Sequence, residues 1–116
     1  MKYNLSKEQV NEYNKYGYII IENVIGQNFL NELNLATDKM LKVAKLLSKS
    51  NDQFDLAENH SSSNPSVRRI KQPQKHDEVF KKLLFYPSII QKVTSLLGHN
   101  FRLHNGKMNL KSPSAG

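Results

Sequence analysis

The sequence predicts an α+β chain in which helices lead and short strands are interspersed. Three observations carry this. From Phe29 to Leu47 apolar residues recur at alternating spacings of four and three (Phe29, Leu33, Ala36, Met40, Val43, Leu47), one face of a long helix. Tyr18-Ile-Ile-Ile21 and Val67-Arg-Arg-Ile-Lys71 are β-branched runs of strand type. The closing stretch Phe101–Lys111 alternates in polarity, so alternate side chains fall on opposite faces of a strand.

The elements follow in order. Ser6-Lys-Glu-Gln9 is a capping box, with Ser6 as N-cap and Gln9 three residues on. The helix it opens turns Val10 and Tyr13 inward and ends at Gly17, a residue suited to the left-handed C-terminal position. Tyr18–Ile21 is expected as a strand buried on both faces. The long helix is expected over Gln27 to about Lys49, with Lys39, Lys42, Lys45 and Lys49 on a solvated face toward its C-terminal half, where the helix dipole favours cations. Residues 50–66 are rich in Ser and Asn and read as a long polar loop, with His60 solvated within it. Val67–Lys71 is a short strand stopped by Pro73. Asp77–Tyr86 is a helix with Val79, Phe80, Leu83 and Leu84 inward. Pro87 sits in the first turn of the next helix, where its missing N–H costs nothing, and Gly98 ends that helix. In the strand Phe101–Lys111, Asn105, Lys107, Asn109 and Lys111 share one face. His104, Gly106, Met108 and Leu110 share the other, with His104 packed or capped there.

Composition bounds the function. At 116 residues the chain makes at most one domain. It has no cysteine, which rules out disulfides and zinc–thiolate sites. No apolar signal segment follows the N-terminus, and the longest apolar run is too short to span a bilayer. The expectation is a soluble, cytoplasmic protein without a membrane partner. The formal charge is +7, which raises the question of nucleic acid. The cations are spread over several helices, with tight pairs only at Arg68-Arg69 and Lys81-Lys82, and no aromatic residues interleave with a basic run. No nucleic-acid partner is expected.

Taken together, several segments resemble the phytanoyl-CoA dioxygenase family of non-haem iron, 2-oxoglutarate-dependent oxygenases. They are Leu5-Ser-Lys-Glu-Gln-Val10, Tyr16-Gly-Tyr-Ile-Ile-Ile21, Arg68-Arg-Ile-Lys71, Phe80…Pro87…Leu-Leu-Gly98 and Lys107-Met-Asn-Leu-Lys-Ser-Pro113. The order and spacing of the segments carry the likeness over nearly the whole chain. The resemblance implies a double-stranded β-helix (jelly-roll, cupin-like) fold, of which residues 1–116 supply the N-terminal helices and first strands. It implies Fe(II) and 2-oxoglutarate in the full-length enzyme and hydroxylation of a small-molecule substrate.

By the same resemblance, Lys107 and Asn109 face the 2-oxoglutarate, Arg69 lies near it, and Asn105 projects toward the substrate. A lysine and an amide both donate hydrogen bonds to a carboxylate, and charge-assisted bonds are the strong ones. Lys111 is assigned to structure or to the rim. The Ser112-Pro113 sequence departs slightly from the family pattern at that loop. Iron enzymes of this class hold the metal with two histidines and a carboxylate, the first pair as His-x-Asp or His-x-Glu. No such triplet occurs: His60, His99 and His104 are each followed two residues on by Ser, Phe and Gly. His76-Asp77 is adjacent, so an extended backbone would point the two side chains to opposite faces. In the family the triplet follows the Lys-Ser-Pro loop. This chain is therefore expected to hold no metal ligand and no catalytic residue, and to be inactive by itself. A small basic α/β binding or interaction module without catalysis is the alternative reading.

Overall fold

The computed structural model describes residues 2–111. The Ser112-Pro113 loop lies outside them. Element order is α1 (Lys7–Tyr16), α2 (Gln27–Lys45), β1 (Phe54–Leu56), β2 (Val67–Lys71), a 3-10 turn (Pro73–Lys75), α3 (Glu78–Leu84), α4 (Pro87–Leu97) and β3 (Lys107–Asn109). The strands form one antiparallel sheet in the order β1-β2-β3.

Local chemistry sets most boundaries. Both halves of the α1 capping box form, and Gly17 closes the helix at φ 81°. Asp77 caps α3 by accepting from the Val79 N–H at 2.8 Å, so that helix begins one residue later than the sequence suggests. It also ends earlier, at Leu84, because Phe85 and Tyr86 bond back by only three residues. α4 runs from Pro87 and is closed by Gly98. α2 stops at Lys45 rather than near Lys49. Its last turn tightens to i→i−3 bonds at Leu46 and Leu47, and the Leu47 carbonyl is taken by His60 at 3.0 Å.

The core is one cluster. Leu33, Ala36, Met40 and Ala44 of α2 meet Phe54 of β1, Ile70 of β2 and Phe80 of α3. Phe54 and Ile70 are fully buried and pair directly across the strands. Such burial of large side chains is worth about 1.5–3 kcal/mol each. A second contact ties the N-terminal segment to α4. There the Tyr3 N–H donates to Gln91 Oε1 at 2.8 Å, the Leu5 N–H to Ser95 Oγ at 3.1 Å, and Lys92 Nζ to the Tyr3 carbonyl at 3.2 Å.

Five expectations need correction. Tyr18–Ile21 is not a strand: no neighbouring strand exists for it among the described residues, and Tyr18 and Ile20 are 64% and 78% exposed. Residues 50–66 are not loop throughout. They contain β1, launched by Asn51 Oδ1 accepting from the Gln53 and Phe54 N–H groups and by Ser50 Oγ accepting from Leu56 N–H. The last strand is shorter than Phe101–Lys111, because β2 ends at Lys71 and Gln72 turns into the left-handed region at φ 49°, so residues 101–105 have no ladder to join. His60 is half-buried and bonded at both ring nitrogens, whereas His104 is exposed.

The radius of gyration is 17.1 Å and the extents are 51 × 29 × 26 Å, against about 13 Å for a compact chain of this length. No helix among the described residues is long and apolar enough to cross a membrane.

Candidate functional site

The sheet has one apolar and one polar face. Register pairs Arg69 with Asn109, Ile70 with Met108 and Lys71 with Lys107, and Phe54 with Ile70 and Asp55 with Arg69. Alternation then puts Phe54, Ile70 and Met108 on the α2 side. Asp55, Arg69, Lys71, Lys107 and Asn109 alternate to the opposite side.

Two cations on that face meet one carboxylate. Asp55 Oδ2 lies 3.3 Å from Arg69 Nη1, and Asp55 Oδ1 lies 3.1 Å from Lys71 Nζ. All three side chains are about one-third exposed, so each ion pair is worth at most about 1 kcal/mol. The geometric effect is larger than the energetic one, since one carboxylate orients both cations. Lys71 and Lys107 stand directly opposite each other, an unfavourable like-charge pair. Arg69 Nε is buried with no acceptor among the described residues. A buried N–H without a partner costs about 1–3 kcal/mol.

This face has the chemistry of an anion site. An arginine fork, two ammonium groups and an amide are all hydrogen-bond donors of the kind that bind carboxylates. Iron does not fit the same way. Among the described residues no three His, Asp or Glu side chains converge.

The sequence-derived residues divide between places. Arg69 and Asn109 are cross-strand partners and both line a groove of about 1230 Å³ that runs between the sheet and Lys39, Lys42 and Lys45 of α2. Lys111 also lines it. Lys107 shares the polar face but sits at the Lys71 end, outside the groove lining. Asn105 precedes β3, and its Oδ1 accepts from the Gln72 side-chain amide. A smaller recess of about 410 Å³ between Phe29 and the α3–α4 turn holds none of these residues.

Asp55 and Lys71 belong to the face, yet sequence reasoning missed them. Lys71 carried a usable signal, since it follows Arg69 at period two on a recognised strand. Asp55 had none, because it lies in a three-residue strand inside a polar stretch.

Over 108 residues, 92% of this chain, the sequence is 26% identical to a protein of Stutzerimonas stutzeri described as a "Probable alpha-ketoglutarate-dependent hypophosphite dioxygenase". The chain spans 37% of that relative's length. No family model matches the chain, and no solved structure matches it.

Proposed function

We propose that this chain is the N-terminal part of a non-haem Fe(II)/2-oxoglutarate-dependent dioxygenase of the phytanoyl-CoA dioxygenase type. The observation that carries the reading is the polar face of β2 and β3, where Arg69, Lys107 and Asn109 supply donors for a dicarboxylate. The similarity to an alpha-ketoglutarate-dependent enzyme supports it. On this reading the small antiparallel sheet is the start of a double-stranded β-helix, and the polar face looks into its interior.

Arg69 and Lys107 attract and neutralise the carboxylates of 2-oxoglutarate, and Asn109 fixes its orientation through a directional amide bond. Asn105 sits at the approach to the same strand and faces the substrate side. Iron would be held by ligands outside residues 2–111 and would supply the oxygen activation for oxidative decarboxylation of the cosubstrate and hydroxylation of a small molecule. The chain by itself supplies a binding wall and no chemistry.

The test is a decarboxylation assay with 2-oxoglutarate and Fe(II). The full polypeptide that carries this chain releases CO2 and succinate, and the 116-residue chain does not. Turnover by the short chain would sink the claim that it is only a wall. The coding sequence beyond residue 116 is expected to encode a His-x-Asp or His-x-Glu triplet; its absence would count against the whole reading.

A second reading draws on the groove, where Lys39, Lys42, Lys45 and Arg68 gather. It is a small basic binding module without catalysis. A full polypeptide that neither binds nor consumes 2-oxoglutarate would favour it.

A further inference from the structure

Three amide side chains stand in a row where the end of β2 meets the approach to β3. Gln74 Nε2 donates to Gln72 Oε1 at 2.6 Å, and Gln72 Nε2 donates in turn to Asn105 Oδ1. An amide carries an acceptor at one end and donors at the other, so such a row has a direction. Gln74 takes the carbonyl end of Gln72. That turns the Gln72 amino group on Asn105 and engages the Asn105 carbonyl oxygen. What Asn105 has left to offer is its amino group. Asn105 is exposed, and its only hydrogen bond among the described residues is the one its oxygen accepts.

The backbone is bent to build this row. Gln72 adopts φ 49° and ψ 53°, a left-handed conformation uncommon for a residue other than glycine and disfavoured further by the proline that follows. Strain of this kind persists only where the surroundings over-determine it. Here the Gln72 N–H donates to the Gly106 carbonyl at 2.8 Å, and the Gln72 carbonyl accepts from the Lys75 N–H at 2.9 Å. Gly106 completes the arrangement. A methyl group added there would lie 2.7 Å from Gln74 Oε1, so any side chain at that position displaces the amide that starts the row.

We propose that Gln72 is a positioning residue for substrate selection. It holds Asn105 as a donor only, and the small-molecule substrate meets Asn105 with an oxygen acceptor, a carbonyl or carboxylate, rather than with an N–H donor. The inference rests on the oxygenase reading above, in which Asn105 faces the substrate. Gln72 and Gln74 do not touch the substrate.

The experiment uses the full polypeptide that carries this chain, freed of iron and mixed with 2-oxoglutarate, with its side-chain amides labelled for nuclear magnetic resonance. With no further ligand, the Gln72 amino protons exchange slowly with water and those of Asn105 exchange fast. The opposite pattern means that the row runs the other way and overturns the proposal. Acetate, an acceptor without a donor, shifts the Asn105 amino resonance saturably; methylammonium, a donor without an acceptor, does not. Gln72→Met keeps the length, adds no charge and frees Asn105 to turn. Acetate then binds about three- to tenfold more weakly, and methylammonium begins to shift the signal. Gly106→Ala, which displaces Gln74 and leaves Gln72 in place, moves both probes in the same directions. A residue that only braces the turn would lower the unfolding midpoint and leave the preference between the two probes unchanged; that result overturns the proposal. Binding of 2-oxoglutarate with no preference at Asn105 defeats this proposal alone. If 2-oxoglutarate does not bind at all, the oxygenase reading fails and the assignment of an oxygenase substrate to Asn105 falls with it.

Discussion

Phe54 and Ile70 face each other across β1 and β2, and neither exposes any surface to solvent. They close the floor of the sheet against α2 and are the largest fully buried side chains of the described residues. Ile70→Ala is expected to cost about 2–5 kcal/mol, and Ile70→Val about 0.5–1.5 kcal/mol. Urea unfolding followed by circular dichroism measures both. Equal losses for the two variants would mean that the site collapses freely and is not the packed floor described.

His60 links two parts of the chain. Its Nδ1 accepts from the Ser66 N–H at 2.9 Å, and its Nε2 lies 3.0 Å from the Leu47 carbonyl. An Nδ1 that accepts leaves Nε2 to donate, which fixes the neutral tautomer. His60→Ala leaves both backbone groups without these partners and is expected to cost about 1–3 kcal/mol. Amide exchange should rise most at Ser66. A rise spread evenly over the sheet would contradict a local latch.

The Ser6 hydroxyl and the Gln9 side chain satisfy each other's backbone N–H groups, at 3.1 and 2.8 Å. Ser6→Ala is expected to cost about 0.5–2 kcal/mol. Because the main packing of α1 is against α4, the loss should appear as faster exchange in the first turn of α1, with Phe54 and Ile70 still protected. Simultaneous loosening of the sheet would show a tighter coupling between the two parts than their contacts provide.

Lys107 should separate stability from binding. It stands opposite Lys71, so Lys107→Ala removes a like-charge pair and is expected to stabilise the fold by about 0.2–1 kcal/mol. In the full polypeptide the same change should weaken 2-oxoglutarate binding by about 1–3 kcal/mol, the scale of a lost charged hydrogen bond. An unchanged Michaelis constant for 2-oxoglutarate removes Lys107 from the site.

Features that depend on near neighbours were legible in the sequence. The Ser6–Gln9 capping box, the stop at Gly17 and the Pro87 start and Gly98 end of α4 each rest on local backbone chemistry. So does the two-sided character of β3, where Lys107 and Asn109 face away from Met108 and Leu110. What depends on distant partners was not legible. Tyr18–Ile21 has strand-type residues, but a strand needs a ladder, and none is beside it. Phe54-Asp-Leu56 has the opposite history. Three residues are too few to show a period, and the strand exists because β2 lies alongside. Asp55 stayed hidden with it, although its carboxylate holds both Arg69 and Lys71. His60 read as solvated because nothing in its neighbours announces that Leu47 and Ser66 would reach both ring nitrogens.

The alternation of β2 has a consequence for how the binding face is maintained. Arg69, Ile70 and Lys71 are consecutive, and Ile70 is the residue sealed in the core. Sliding β2 by one position against its neighbours would drive a guanidinium or an ammonium into the space Ile70 fills and lift the isoleucine into water. The cost of burying an unpaired charge is several kilocalories per mole, comparable with the whole stability of a small domain. Misaligned copies therefore unfold rather than persist as folded molecules with a scrambled binding surface. Mutations that loosen this strand should lower the amount of protein before they alter what the remaining protein recognises.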